Sequence, residues 1–292
     1  MSGSGSPRAR IGLVAGNGRL PLLFARCLRA AVPCPLVIVG HVGEADPALE
    51  ELADAMIWVR LGQFRRILKY LQQQRVTQVV FAGGITKSRI WSARPDTMAL
   101  GLVARLRHLN DDLLLRAVAT LVEEWGFQVR GVQDFCPDLL VPAGTLTRLT
   151  PDAAQWEQIR YGWRMAQALG RLDIGQAVVV RDRAVVAVEA MEGTDAMIRR
   201  AGPLAGGRGV MVKVSKPGQE RRLDLPTIGP GTVQALAESG VSVLAVEAGS
   251  VLILDPETTL TAADRQQLVI VALSGLDAGS EENLVIPGEE TP

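Results

Sequence analysis

Between residues 10 and 135, short apolar runs alternate with helical patterns, and this alternation constrains the fold more than any other feature of the chain. The runs at 11–15, 36–40, 56–59, 76–82 and 127–132 are apolar almost throughout, as strands buried on both faces are. The segments between them, 20–31, 48–53, 64–74, 96–108 and 111–125, carry helix-type spacing. Such a pattern predicts an α/β fold whose first half is a Rossmann-like, doubly wound parallel sheet. Ligands of such sheets sit beyond the carboxyl ends of the strands. Those ends carry Gly16-Asn17-Gly18, His41 and Gly83-Gly84.

The second half follows a different grammar. Residues 136–150 hold Pro137, Pro142 and Gly144 and read as a linker. A helix then starts at Thr150-Pro151-Asp152 and runs to about residue 169. Strands at 177–180 and 184–188 flank Arg181-Asp182-Arg183, a hairpin signal. A strand at 210–214 and a helix at 232–238 follow. A second hairpin is expected from 241–246 and 251–254, and a last helix over 262–273. The expected organisation is therefore a Rossmann-like domain over 10–135, the linker over 136–150, and an α+β catalytic domain over 151–275. The Gly- and Glu-rich tail, 276–292, is expected to be disordered.

Charge and composition exclude several functions. The 31 basic residues balance 31 acidic ones, so no global basic field favours nucleic acid. Three cysteines, Cys27, Cys34 and Cys136, form no ligand pattern and leave one unpaired in any disulfide scheme, which suits a reducing cytoplasm. With only His41 and His108, a His-rich metal site is excluded. No apolar stretch is long enough to cross a bilayer, and the first ten residues do not read as a signal peptide.

The chemistry-bearing residues fall into two groups. In the first half, Gly16-Asn17-Gly18 follows a strand and opens a helix, a place that favours a phosphate or nucleotide group. It lacks the third glycine of a dinucleotide fingerprint, and the second strand ends at Gly40-His41 with no acid for a ribose hydroxyl. Gly83-Gly84-Ile85-Thr86-Lys87 sits at the fourth strand's end, where glycine lets a ligand approach the backbone or simply makes a turn. Asn110-Asp111-Asp112 starts a helix, and capping accounts for one of the three.

In the second half, Glu189, Glu192, Asp195 and Asp224 are interleaved with glycines and with Lys213, Lys216, Arg221 and Arg222. Hard divalent cations take oxygen ligands, and phosphates take Lys and Arg, so this mixture suits metal-assisted chemistry on a phosphate. Only four lysines occur in the chain, which makes Lys213 and Lys216 more notable. The competing explanations are an N-cap run at Glu192-Gly193-Thr194-Asp195 and a solvated Asp224.

Many short motifs in order also resemble a known family. In the first half they are Gly12-Leu13-Val14-Ala15-Gly16-Asn17-Gly18-Arg19-Leu20-Pro21, Gly83-Gly84-Ile85-Thr86, Asn110-Asp111-Asp112 with Leu114-Leu115-Arg116, and Gln133-Asp134-Phe135. In the second they are Leu172-Asp173-Ile174-Gly175-Gln176, Glu192-Gly193-Thr194-Asp195, Lys216-Pro217-Gly218-Gln219, Asp224-Leu225-Pro226-Thr227-Ile228-Gly229 and Glu247-Ala248-Gly249. The set resembles the UDP-2,3-diacylglucosamine pyrophosphatases of the LpxI type, from lipid A biosynthesis.

That resemblance implies Mg²⁺-dependent hydrolysis of the substrate's pyrophosphate, giving UMP and 2,3-diacylglucosamine 1-phosphate. It implies that Asp224 is essential for turnover. From the chemistry of the residues, Glu189, Glu192, Asp195 and Asp224 are the expected ligands of Mg²⁺, or of Mn²⁺ in its place. Lys216 and Arg222 would act with Asp224 in catalysis by offsetting phosphate charge. Gly16, Asn17, Gly18, Gly83, Gly84, Thr86, Asp111, Asp112 and Lys213 are the expected substrate-binding residues. The lipid nucleotide implies transient contact with the cytoplasmic surface of a Gram-negative inner membrane, and a homodimer is the expected assembly. Two other classes stay open: a nucleotide-sugar sensor without turnover, and a glycosyltransferase, which would release UDP. A nicotinamide-linked oxidoreductase is disfavoured by the incomplete fingerprint.

Overall fold

The computed structural model describes residues 9–86, 95–104 and 111–274. Lys87, the tail 276–292 and the side chains of Asp111 and Asp112, all part of the sequence expectations, lie outside the described residues. The described chain forms two compact units. One comprises residues 1–137 together with Glu220–Asp224, the other Asp138–Gln219 together with the chain from Leu225 onward.

The first unit is built on strands β1 (Ile11–Ala15), β2 (Leu36–His41), β3 (Ala55–Val59), β4 (Gln78–Ala82) and β5 (Gln128–Arg130). All pair in parallel in the order β3-β2-β1-β4-β5. This is the doubly wound sheet expected from the apolar runs, and β1 and β2 are buried at every position. Alternate residues point to opposite faces. Val14, Val37 and Val39 pack with Ile67, Leu68 and Leu71 of helix α2 (Phe64–Gln73) and with Val118, Ala119 and Val122 of a later helix. Helix α1 (Leu20–Ala31) buries Phe24 and Leu28 completely. Helices α3 (Thr97–Ala104) and α4 (Asp111–Glu124) complete the unit. The 48–53 segment forms a 3₁₀ turn, Pro47–Leu52, instead of an α-helix; Asp46 starts it by accepting from the Ala48 N–H. Cys27 on α1 lies beside Cys136, their Cα atoms 6.2 Å apart, and Cys34 is a buried thiol.

The second unit carries a six-stranded mixed sheet. Its strands are β6 (Gly144–Thr145), β7 (Ala177–Arg181), β8 (Ala184–Val188), β9 (Gly209–Lys213), β11 (Val241–Glu247) and β13 (Val269–Leu273), in the order β6-β13-β11-β9-β7-β8. A separate parallel pair joins β10 (Thr227–Ile228) to β12 (Leu252–Ile253). The β7–β8 hairpin forms as expected. The second expected hairpin does not. β11 pairs in parallel with β9 and β13, and β12 pairs with β10. The reason is burial: β11 sits at the sheet's centre and is apolar on both faces, so it takes a parallel neighbour on each side. The expected last helix is likewise two elements, helix α8 (Pro256–Arg265) and strand β13, because a short apolar run looks alike in either state.

Four helices cover the two faces of this sheet. Helix α5 (Ala153–Arg171) packs Ile159, Trp163 and Ala166 onto Val178, Val212, Val243 and Val271. Helices α6 (Thr194–Ala205), α7 (Pro230–Glu238) and α8 meet the residues of opposite parity, Val179, Met211, Leu244 and Ile270. Asp152 caps α5 by accepting from the Gln155 N–H, with Gln155 answering to the Asp152 N–H. The stretch read as a linker contains β6, which pairs antiparallel with β13.

Candidate active site

In the first unit the functional motifs gather at the carboxyl ends of β1, β2 and β4. Asn17 and Gly84 form an antiparallel bridge, with mutual N–H···O=C bonds of 2.8 and 3.2 Å. A methyl group on Gly16 would lie 2.2 Å from the Gly84 oxygen, and one on Gly83 would lie 2.3 Å from the Asn17 oxygen. Both glycines are therefore explained by one loop closing on the other. Gly18 differs, with a φ of +85° and open space where a side chain would stand. Helix α1 begins just after it, without a side-chain cap hydrogen bond and without an acid in its own first turn.

Sequence reasoning missed Glu44. No acid ends β2, but the chain turns back immediately, with Glu44 and Ala45 N–H groups both donating to the His41 oxygen. This brings Glu44 Oε2 to 2.8 Å from Asn17 Nδ2 and 2.9 Å from the Thr86 hydroxyl. Side chains from two strand ends thus meet on a carboxylate delivered from a third. A cleft of about 740 Å³ adjoins them, lined among others by Gly18, Arg19, Glu44, Asp46 and Trp58. An acid within four residues of the strand end was the signal to look for. His41 itself is buried and bonds the Ala15 oxygen through Nδ1 at 3.1 Å, and desolvation pushes its pKa down.

In the second unit the motifs brace the segment that follows β9. Lys213, at the end of β9, is only 4% exposed. Its ammonium donates to the Thr194 hydroxyl at 3.1 Å and to the Thr227 carbonyl at 3.0 Å. Thr194 in turn donates to Glu189 Oε1 at 2.6 Å, and Glu189 is 7% exposed. A buried cation and a buried anion are thereby joined through one hydroxyl, which is what makes their burial tolerable. Two residues on, the Ser215 N–H and hydroxyl both donate to Glu247 Oε2 at the end of β11. Lys216 pairs with Asp173 at 2.8 Å. A methyl group on Gly175 would strike the Glu189 carbonyl at 2.0 Å, which explains that glycine.

The remaining acids stand apart from this brace. Glu192 pairs with Arg200 at 2.6 Å, and that pairing holds its pKa below the usual carboxylate range. Asp195 is exposed in the first turn of α6. Asp224 is exposed, and its N–H donates to the Glu220 oxygen at 3.0 Å. Arg222, expected to face phosphate, instead bonds Glu220 and Glu123.

Among the described residues, no group of three or more His, Cys, Asp or Glu side chains could hold a metal ion. Glu189, Glu192 and Asp195 are thus not brought together as one ligand group. Glu189 Oε2 is nevertheless buried with no hydrogen-bond partner. Mg²⁺ keeps several waters and takes one or two carboxylates plus substrate phosphates, so a sparse donor set suits it better than it would suit Ca²⁺.

Two family models match successive parts of the chain. Residues 10–139 match the model of the LpxI N-terminal domain, and residues 142–271 that of the LpxI C-terminal domain. The chain is 35% identical over 275 residues to the UDP-2,3-diacylglucosamine pyrophosphatase LpxI of Caulobacter vibrioides, covering 90% of this chain and 97% of that protein. Among solved structures, leucoanthocyanidin reductase with NADPH from Vitis vinifera is 20% identical, covers 41% of this chain and 47% of its own, and has a TM-score of 0.27. The biotin carboxylase subunit of pyruvate carboxylase is 13% identical, covers 67% and 41%, and has a TM-score of 0.26. With both domain models matched in order along the chain, and a relative alike over nearly its whole length, this protein belongs to the LpxI family.

Proposed function

We propose that this chain hydrolyses the pyrophosphate bond of UDP-2,3-diacylglucosamine, releasing UMP and 2,3-diacylglucosamine 1-phosphate. The observation that carries the reading is the 35% identity, over 275 residues, to a protein named for that activity. The reaction belongs to lipid A synthesis, at the cytoplasmic surface of a Gram-negative inner membrane. No helix among the described residues is long and apolar enough to cross a membrane, and the contact proposed is peripheral and transient.

Asp224 is the residue assigned to turnover. It is exposed, as a group that meets a phosphate or a water must be. Asp224 would hold Mg²⁺, which would supply positive charge to the diphosphate and lower the pKa of a water. Lys216 lies near the surface with its ammonium on Asp173, and exchange of that partner for a phosphate oxygen would offset charge that develops on cleavage. Lys213 acts differently from the sequence expectation: almost fully buried, it holds the Thr227 carbonyl and so fixes that end of the Leu225-Pro226-Thr227 segment. The uncapped start of α1 and the Asn17–Glu44–Thr86 cluster offer donors and acceptors to the nucleotide part of the substrate.

The test is a product assay on UDP-2,3-diacylglucosamine with Mg²⁺, with Mn²⁺ and with chelator. The expected result is UMP formed in equal amount with the lipid phosphate, and none with chelator. UDP as the released nucleotide would mark a glycosyltransferase, and binding without release a sensor; either outcome rejects the proposal.

A further inference from the structure

Residues Glu220–Asp224 leave the second unit and are held by the first. Three contacts with that unit hold them, and bonds within the segment shape it. Leu223 packs against the first unit's apolar core. Gln133 Nε2 donates to the Arg221 oxygen at 3.2 Å. Arg222 Nη1 bonds Glu123 Oε1 on α4, while Nε and Nη2 grip both oxygens of Glu220 at 2.8 and 2.9 Å. The N–H groups of Leu223 and Asp224 both donate to the Glu220 oxygen, which curls the segment into a short turn. The charges agree with the geometry. Pairing with Arg222 holds the Glu220 pKa down, with a smaller contribution from Arg116 of α4, and the two carboxylates raise that of Arg222.

A guanidinium that already forks onto one carboxylate and reaches a second is not poised for phosphate. We propose that Glu220–Asp224 is a strap and that Arg222 is a positioning residue: its bonds to Glu123 and Glu220 fix the strap on the Rossmann-like unit and thereby set the place of Asp224. This rests on the reading of Asp224 as the residue of turnover. The sequence motifs gain a common purpose from it. Gln133, Arg116 and the Asp224 segment belong to separate runs, yet all meet at this one strip of chain.

The test is a double-mutant cycle with Glu123→Gln and Arg222→Ala, read in two ways. Amide hydrogen exchange at Leu223 and Asp224 is expected to quicken by about two- to fivefold in each single variant, the size of a partly exposed ion pair. On the lipid nucleotide, kcat is expected to fall by a similar factor with KM unchanged, and the double variant is expected to be no worse than Arg222→Ala alone. Arg222→Lys, which keeps the charge but not the fork, is expected to fall between. The proposal is overturned if Glu123→Gln changes neither exchange nor kcat. It is also overturned if Arg222→Ala raises KM while exchange stays as in the unaltered protein, since that is the behaviour of a phosphate clamp. Should the unaltered protein release no UMP, the functional reading fails while the exchange measurement still decides the strap.

Discussion

Lys213 and Thr227 are joined by a hydrogen bond of 3.0 Å from a buried ammonium to a backbone carbonyl. The same ammonium reaches Glu189 through the Thr194 hydroxyl. Removing one end of such a pair leaves the other charge buried and uncompensated. Lys213→Met is expected to destabilise the protein by about 3–5 kcal/mol, and Lys213→Met with Glu189→Gln by clearly less than the sum of the two single changes. Urea denaturation of the four proteins checks this. Strict additivity would show that the hydroxyl does not link the two charges.

Asp224 stands on the surface, and its backbone N–H joins the strap's turn. Asp224→Ala is expected to lower kcat by about a hundredfold or more, with the thermal midpoint and lipid nucleotide binding nearly unchanged. Steady-state kinetics beside a binding titration separate these quantities. Full turnover by the variant would end the assignment.

Gly16 and Gly18, two residues apart, are glycines for different reasons. At Gly16 an added methyl meets the Gly84 backbone, so Gly16→Ala must push the two loops apart, at about 1–3 kcal/mol. At Gly18 there is room, and Gly18→Ala is expected to cost about 1 kcal/mol through its positive φ alone. Gly16→Ala is also expected to loosen the Asn17–Thr86–Glu44 cluster and raise KM. Denaturant midpoints and KM for both variants test the pair, and equal effects would contradict the loop-closure account.

His41 makes the first unit sensitive to mild acid. Its folded pKa lies below the ordinary value of about 6.5, so on acidification the unfolded chain takes a proton that the folded chain refuses. Its contribution is therefore full above about pH 6.5 and declines as pH falls toward the depressed folded value, below which its slope vanishes. His41→Asn is expected to flatten stability against pH across that interval. A slope unchanged by the substitution would place the acid sensitivity elsewhere.

What was readable from sequence was whatever is local or periodic. The apolar runs of β1, β2 and β4, the turn glycines after them, the β7–β8 hairpin and the helix start at Thr150-Pro151-Asp152 all follow from spacing and from residue chemistry within a few positions. Which strands lie side by side in the second sheet was not, because β9, β11 and β13 choose partners by being buried on both faces and not by the loops between them. Glu44 escaped notice because a turn after β2, and not the strand end, delivers it to Asn17. Lys216 with Asp173, Ser215 with Glu247, and Arg222 with Glu123 are separated by 43, 32 and 99 positions. The linear chain proposed carboxylates and cations for a phosphate. Folding decided which of those charges face each other in the interior and which remain at the surface, because an ionised group that leaves water must find its partner through space, and sequence distance does not record that encounter.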